Sequence, residues 1–172
     1  MRIWTIGHSN QPLERFISAL KSFQIEQVAD VRRFPSSRRH PHFSKDPLAE
    51  SLERVGMLYH HLPELGGRRA ARKDSRNTAW QNASFRGYAD YMETMEFTAG
   101  IERLLETASA RRTALMCAEA LWWQCHRSLI ADYLKARGHE VVHIMSAEKH
   151  EPHPYTAAAS IVDGRLSYRG LV

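Results

Sequence analysis

The sequence predicts an α/β fold: a mostly parallel sheet with helices on both faces, in a single three-layer domain spanning residues 1–172. Three observations predict it. Short apolar runs alternate with amphipathic helical stretches along the whole chain. The chain opens strand–helix–strand, which favours two parallel strands joined by a crossover. Nearly every predicted strand ends in a polar or reactive side chain, as expected where strand ends build a site.

The elements follow in order. Residues 2–7 (RIWTIG) read as a buried strand ending at Gly7. Pro12 suits a first helical turn, and Leu13, Phe16, Ile17 and Leu20 recur at helical spacing. Residues 25–31 return to a strand, followed by a basic loop at 32–46, a helix at 47–55 and a short strand at 57–61. The stretch 63–84 lacks periodicity and predicts a long loop, a feature that is usually functional in a compact domain. One helix is predicted over 85–107, a strand over 112–117, a helix over 125–137 stopped by Gly138, and a strand over 140–145. Val162-Asp163-Gly164-Arg165 reads as a hairpin turn in the tail.

Composition narrows the class. With 43% hydrophobic and 25% charged residues, the chain has the balance of a globular protein. No apolar run approaches the roughly 18 residues a membrane span needs, and residues 1–10 turn polar too early for a signal-peptide core. The expectation is a cytoplasmic protein with no membrane partner. In that compartment Cys117 and Cys125 are not expected to form a structural disulfide. The net charge of +5 is clustered: residues 32–39 hold four arginines and no acid, and residues 68–76 hold five basic residues and one acid. Such patches raise the local potential for phosphates, so the expected partner is nucleic acid or a phosphorylated small molecule. The alternative is a solubilising surface. Oligomeric state is not legible.

Several stretches together resemble the domain of unknown function 488 family: TIGHS (5–9), DVRRFPSS (30–37), Tyr59-His60 with LGG (65–67), FRGYADYM (85–92), LMCAE (115–119), CHRSLIADYL (125–134) and VVHI (141–144). The tail HPYTAAASIVDGRLSY is similar as well. The resemblance implies an α/β fold and an unassigned function. Trp122-Trp123 departs from the polar residues expected in that loop. A weaker analogy, at the level of fold only, is to rhodanese-like domains, which share an Asp-Val-Arg strand end and a later strand ending in Cys.

Four constellations carry chemistry. The first is Cys117-x-Glu119-x5-Cys125-His126-Arg127, delivered by a strand end and a helix start. Its residues read as a thiolate nucleophile with His126 and Arg127, as metal ligands, or as buried packing. The second is Asp30-x-Arg32-x2-Pro35-x-Ser37, either a ligand site or an ion pair closing a loop. Arg39 and Phe43 follow it, a basic–aromatic mix suited to a nucleic-acid backbone and a stacked base. The third is Gly7-His8-Ser9, and the fourth Phe85-Arg86-Gly87-Tyr88, where Tyr88 stacks a ligand or fills the core. No cofactor motif and no standard metal pattern is present, so no cofactor or metal is expected.

The favoured expectation is an enzyme acting on a nucleotide or nucleic-acid substrate by hydrolysis or glycosyl or related transfer. Its catalytic candidates are His8, Asp30, Glu119, Cys117 and His126. Its substrate-binding candidates are Ser9, Arg32, Ser37, Arg39, Phe43, Arg68, Arg86, Tyr88, Cys125 and Arg127, with Trp80 and Trp122 as further stacking platforms. The alternatives are a cysteine-dependent thiol or sulfur-transfer enzyme and a non-catalytic nucleic-acid-binding module.

Overall fold

A computed structural model describes residues 1–170; Leu171 and Val172, the end of the expected domain, lie outside the described residues. The chain is mixed α/β. Its main sheet has six strands in the order β3-β2-β4-β1-β5-β6: β1 (Arg2–Gly7), β2 (Gln27–Asp30), β3 (Leu58–His61), β4 (Thr113–Cys117), β5 (Glu140–Ile144) and β6 (His150–Pro152). The first five are parallel, and β6 runs antiparallel to β5. The central pair β1–β4 sets Gly7 beside Cys117, so the first and the fourth strand end at the same level.

The inner strands β1, β2, β4 and β5 are buried on both sides, and consecutive residues point to opposite faces. Ile3, Ala29, Val31, Leu115 and Val141 pack in one cluster with α3 (Ala83–Tyr91), α4 (Met95–Ala110) and α5 (Arg127–Ala136). Trp4, Ile6, Val28, Ala114, Met116 and Val142 pack in the other with α1 (Leu13–Ser22) and α2 (Lys45–Arg54). The helical spacing of Phe16 and Leu20 is the sequence cause of the α1 contact, because it keeps them on one stripe facing the sheet.

Two differences from the expected elements have local causes. The helix expected over 85–107 is two helices. Thr94 adopts extended backbone and its hydroxyl accepts the Phe97 N–H at 3.3 Å, which starts α4 anew. The tail contributes β6, which the Pro- and His-containing sequence did not announce. It also forms a separate two-stranded ribbon, β7 (Ser160–Val162) with β8 (Arg165–Ser167). Asp163 and Gly164 between them have φ of 52° and 75°, the paired left-handed conformation of a tight hairpin turn.

Candidate functional site

The carboxyl ends of β1, β2 and β4 open onto a cavity of about 490 Å³. Its position follows from the topology. β1 and β2 send their chains to α1 and α2 on one face, while β4, lying between them, sends its chain to α5 on the other. Connections that leave adjacent parallel strands in opposite directions part at the strand ends and leave a crevice. His8 enters from β1, Arg32 and Ser37 from the loop after β2, Arg68 from the long loop, Cys117 and Glu119 from β4 and its extension, and Cys125 and His126 from the start of α5.

Asp30 lies beneath this cavity, not on its surface. Its Oδ1 accepts the Arg32 backbone N–H at 3.0 Å and Arg32 Nε at 2.9 Å; its Oδ2 accepts Arg32 Nη2 at 2.8 Å and the Tyr59 hydroxyl. The carboxylate is therefore fully engaged, and its part is to hold a buried guanidinium in one orientation. Burial, the Asp30 charge and the bond to Asp30 push the Tyr59 hydroxyl up, so it stays a donor. The remaining arm, Arg32 Nη1, stands 3.3 Å from His8 Nε2. His8 Nδ1 donates to the Ser9 carbonyl at 2.7 Å, which assigns the tautomer and leaves Nε2 as the acceptor. Burial, and then the Arg32 charge, push His8 from an ordinary 6.5 down to about 4, so its imidazole is neutral at pH 7. The ring stacks on Phe43 at 4.4 Å.

The cysteine segment is built differently. His126 Nε2 donates to the Val31 carbonyl at 2.9 Å, and Nδ1 faces Cys125 Sγ at 3.4 Å. Burial lowers the His126 pKa, so this ring too is neutral. Cys117 Sγ points at the Glu119 carbonyl at 3.6 Å, and burial pushes its pKa well above the usual thiol range. Arg127 does not reach the cavity. Its Nη1 donates to Thr5 Oγ1 at 3.0 Å, and its Nη2 donates to the carbonyls of Glu119 and Ala120 at 2.7 and 3.1 Å. It clamps the loop that carries Glu119. Gly7 serves the same contact: a Cβ there would fall 1.7 Å from the Glu119 carbonyl oxygen, so the close approach is to this loop and not to a ligand.

Other expected site residues lie elsewhere. Phe43 is fully buried between His8 and Phe16. Arg86 donates to the carbonyls of Trp80 and Gln81 and braces the long loop. Ser9 lines a separate cavity between β1 and β5. Arg39 is exposed away from the cavity lining. Tyr88 borders the cavity but is buried, donating to the Leu65 carbonyl at 2.8 Å. Trp80 packs on Phe85 and Tyr168, and Trp122 stacks on His143 at 4.6 Å, so neither is free to stack a base. Among the described residues no group of three or more His, Cys, Asp or Glu side chains is placed to hold a metal.

At the cavity itself, the aromatic residue that faces solvent is Phe34, 62% exposed on its border. The guanidinium groups of Arg33 and Arg68 lie 5.3 and 6.0 Å from its ring. Its signal was present in RRFPSS, an exposed aromatic amid arginines before a proline. Phe85, from the fourth constellation, lines the cavity, as do Arg33 and Gln124, which had not been singled out. The Glu119 side chain is exposed, lines the same cavity and makes no hydrogen bond among the described residues. The site therefore combines a carboxylate without a hydrogen-bond partner among the described residues, three guanidinium groups and two neutral imidazoles.

The family described as Domain of unknown function DUF488 matches residues 12–134, most of the chain. The chain belongs to this family. The DUF488 span includes the cavity residues from Arg32 to His126, while the TIGHS and VVHI stretches lie outside it. No curated protein and no solved structure matches this DUF488 protein.

Proposed function

We propose that this protein is an enzyme that holds a nucleotide or nucleic-acid substrate in the β1–β2–β4 cavity and acts on it by hydrolysis or glycosyl transfer. The observation that carries the reading is the exposed Phe34 ring beside Arg33 and Arg68, on the border of a cavity that also presents the Glu119 carboxylate, which has no hydrogen-bond partner among the described residues. An aromatic face flanked by guanidinium groups suits a stacked base with its adjoining phosphate. Arg32, held by Asp30, keeps a fixed positive charge at the inner end. Glu119 then activates water, or stabilises the positive charge that develops as a glycosidic bond breaks. His8, neutral and hydrogen-bonded to Arg32, helps fix that guanidinium at the inner end of the cavity. His126, tied to the Val31 carbonyl, positions the loop and not the substrate. The same reading takes the two packed clusters as the two sides of one three-layer unit, with this cavity as its working edge.

The test has two stages. Gel-shift titration against single- and double-stranded DNA and RNA at two salt concentrations should show binding that weakens as salt rises. Chromatography of nucleosides and oligonucleotides incubated with the protein should then reveal a released base or cleaved product, lost in Glu119→Gln while binding persists. Absence of binding at low salt overturns the nucleic-acid reading. A Glu119→Gln variant that matches the wild type in every reaction found overturns the role given to the carboxylate.

A further inference from the structure

Trp123 is the large aromatic residue that the fold leaves half exposed beside the cavity. It belongs to a short 3-10 turn, Trp122–Gln124, in the loop that runs from β4 to α5. The three side chains of such a turn point about 120° apart. Trp122 points inward: it is 8% exposed, its ring lies flat on His143 at 4.6 Å, and its indole N–H donates to Glu151 of β6 at 2.6 Å. Gln124 points to the cavity and lines it. Trp123 takes the third direction, with 48% of its surface in solvent and its ring edge-on to Trp122 at 5.5 Å and 89°. One tryptophan therefore anchors the turn, and the second is held outside on a fixed support.

Phe34 stands on the neighbouring loop. β2 and β4 are adjacent, with Asp30 level with Met116, so the loops that follow them leave the sheet side by side, about 5 Å apart at their roots. The loop after β2 carries Phe34, with Arg33 and Arg68 beside its ring. The loop after β4 carries Trp123. Both loops border the cavity, whose lining holds Arg32, Arg33 and Arg68 against one acid, Glu119. Two exposed rings on adjacent loops thus accompany an excess of guanidinium charge.

We propose that the ligand is a single strand of nucleic acid at least two nucleotides long, with one base at Phe34 and the next on Trp123, an inference that rests on the nucleic-acid reading and narrows it. A mononucleotide has one base and uses only one of the two rings. In a duplex the faces of successive bases are closed on each other, and a base reaches a ring only after leaving the stack. A single strand offers separate faces joined by phosphates, which suits two aromatic platforms with guanidinium groups beside them. Face-on stacking reads no base edge, so sequence preference at Trp123 should be weak. A ring already fixed by its contact with Trp122 loses little freedom when a base settles on it.

The test is a fluorescence titration at low salt with phosphorylated thymidylate and uridylate probes of one, two and eight residues, and with a hairpin duplex. Acrylamide quenching of tryptophan is read on each complex. Going from one residue to two should tighten binding about 5- to 150-fold, the worth of one base–aromatic stack. The two-residue probe should also shield from acrylamide an indole that the mononucleotide leaves open. Trp123→Ala should abolish both the gain and the shielding, whereas Trp123→Phe, which keeps an aromatic face, should retain the gain. A mononucleotide that binds as tightly as the longer probes overturns this inference and leaves the nucleic-acid reading standing. A hairpin that binds more tightly than the single strands, or a gain that survives in Trp123→Ala, does the same. Absence of binding by every probe overturns both. Light scattering that shows a dimer of the free protein, lost in Trp123→Ala, assigns the ring to contact between copies and overturns the inference. Shielding and length dependence are read on the wild-type protein, so they decide the matter even where a substitution fails to fold.

Discussion

Acidification should weaken the fold through His8, and His8→Gln should remove that part of the loss. In the folded protein this imidazole is held neutral, with its pKa near 4 against an ordinary 6.5. Its Nδ1–H is committed to the Ser9 carbonyl, its Nε2 faces the Arg32 guanidinium, and its ring lies on Phe43. A second proton has no acceptor there and meets a like charge. Below pH 6.5 the unfolded chain binds that proton and the folded chain does not. The His8 contribution is therefore complete above 6.5 and lost as pH falls from 6.5 toward 4. Between pH 7 and about 4.5, linkage between those two values gives a loss of about 2 kcal/mol. His126 and His143 are also held neutral and add to the wild-type loss, His143 being pushed by burial and by His153 to about 2. The measurement is therefore a double difference. Urea denaturation of wild type and His8→Gln at both pH values should show the variant losing about 2 kcal/mol less on acidification. Equal losses in the two proteins would refute the reasoning, because they would mean that His8 titrates alike in both states.

Three other predictions follow from single contacts. Asp30→Asn keeps the shape but leaves Arg32 buried without its counter-charge, and urea denaturation should record a loss of about 3–5 kcal/mol. Gly7→Ala drives a Cβ into the Glu119 carbonyl, so the 118–120 loop must shift; thermal unfolding should register a cost of about 1–3 kcal/mol. Phe34→Ala should leave stability within about 0.5 kcal/mol of wild type, since the ring is exposed. The same change should weaken single-strand binding by about 1–3 kcal/mol, measured by fluorescence anisotropy.

The parallel strands were legible because burial on both faces demands short continuous apolar runs, and TALMC and EVVHI are such runs. The helices were legible where one face meets the sheet, as with Phe16 and Leu20. The break at Thr94 was missed because a threonine N-cap inside a periodic stretch changes no hydrophobic pattern. At the site, sequence placed reactive residues at strand ends, and the cavity draws His8, Arg32, Cys117, Glu119, Cys125 and His126 together. It could not say which way each side chain turns. Arg32 and Arg127 read alike as phosphate holders. One has a carboxylate two residues back that fixes its fork beside the cavity; the other finds Thr5 and two carbonyls that only the folded chain supplies. Phe34 was passed over in favour of Phe43, nine positions on, because exposure within a loop is set by tertiary packing that local pattern does not encode.

The stretch that defines kinship and the stretch that must be kept to obtain this protein are different things. A fragment cut at residues 12 and 134 would lack β1, the neighbour on which both β4 and β5 lean, and would bare the amide and carbonyl groups along one side of β4. It would also strip Asp132 of His153, Thr156 and Tyr168, stranding a carboxylate in the interior. Such a piece should precipitate instead of folding, so recombinant work on relatives needs the flanking strands on both sides, whatever the boundaries of recognisable likeness.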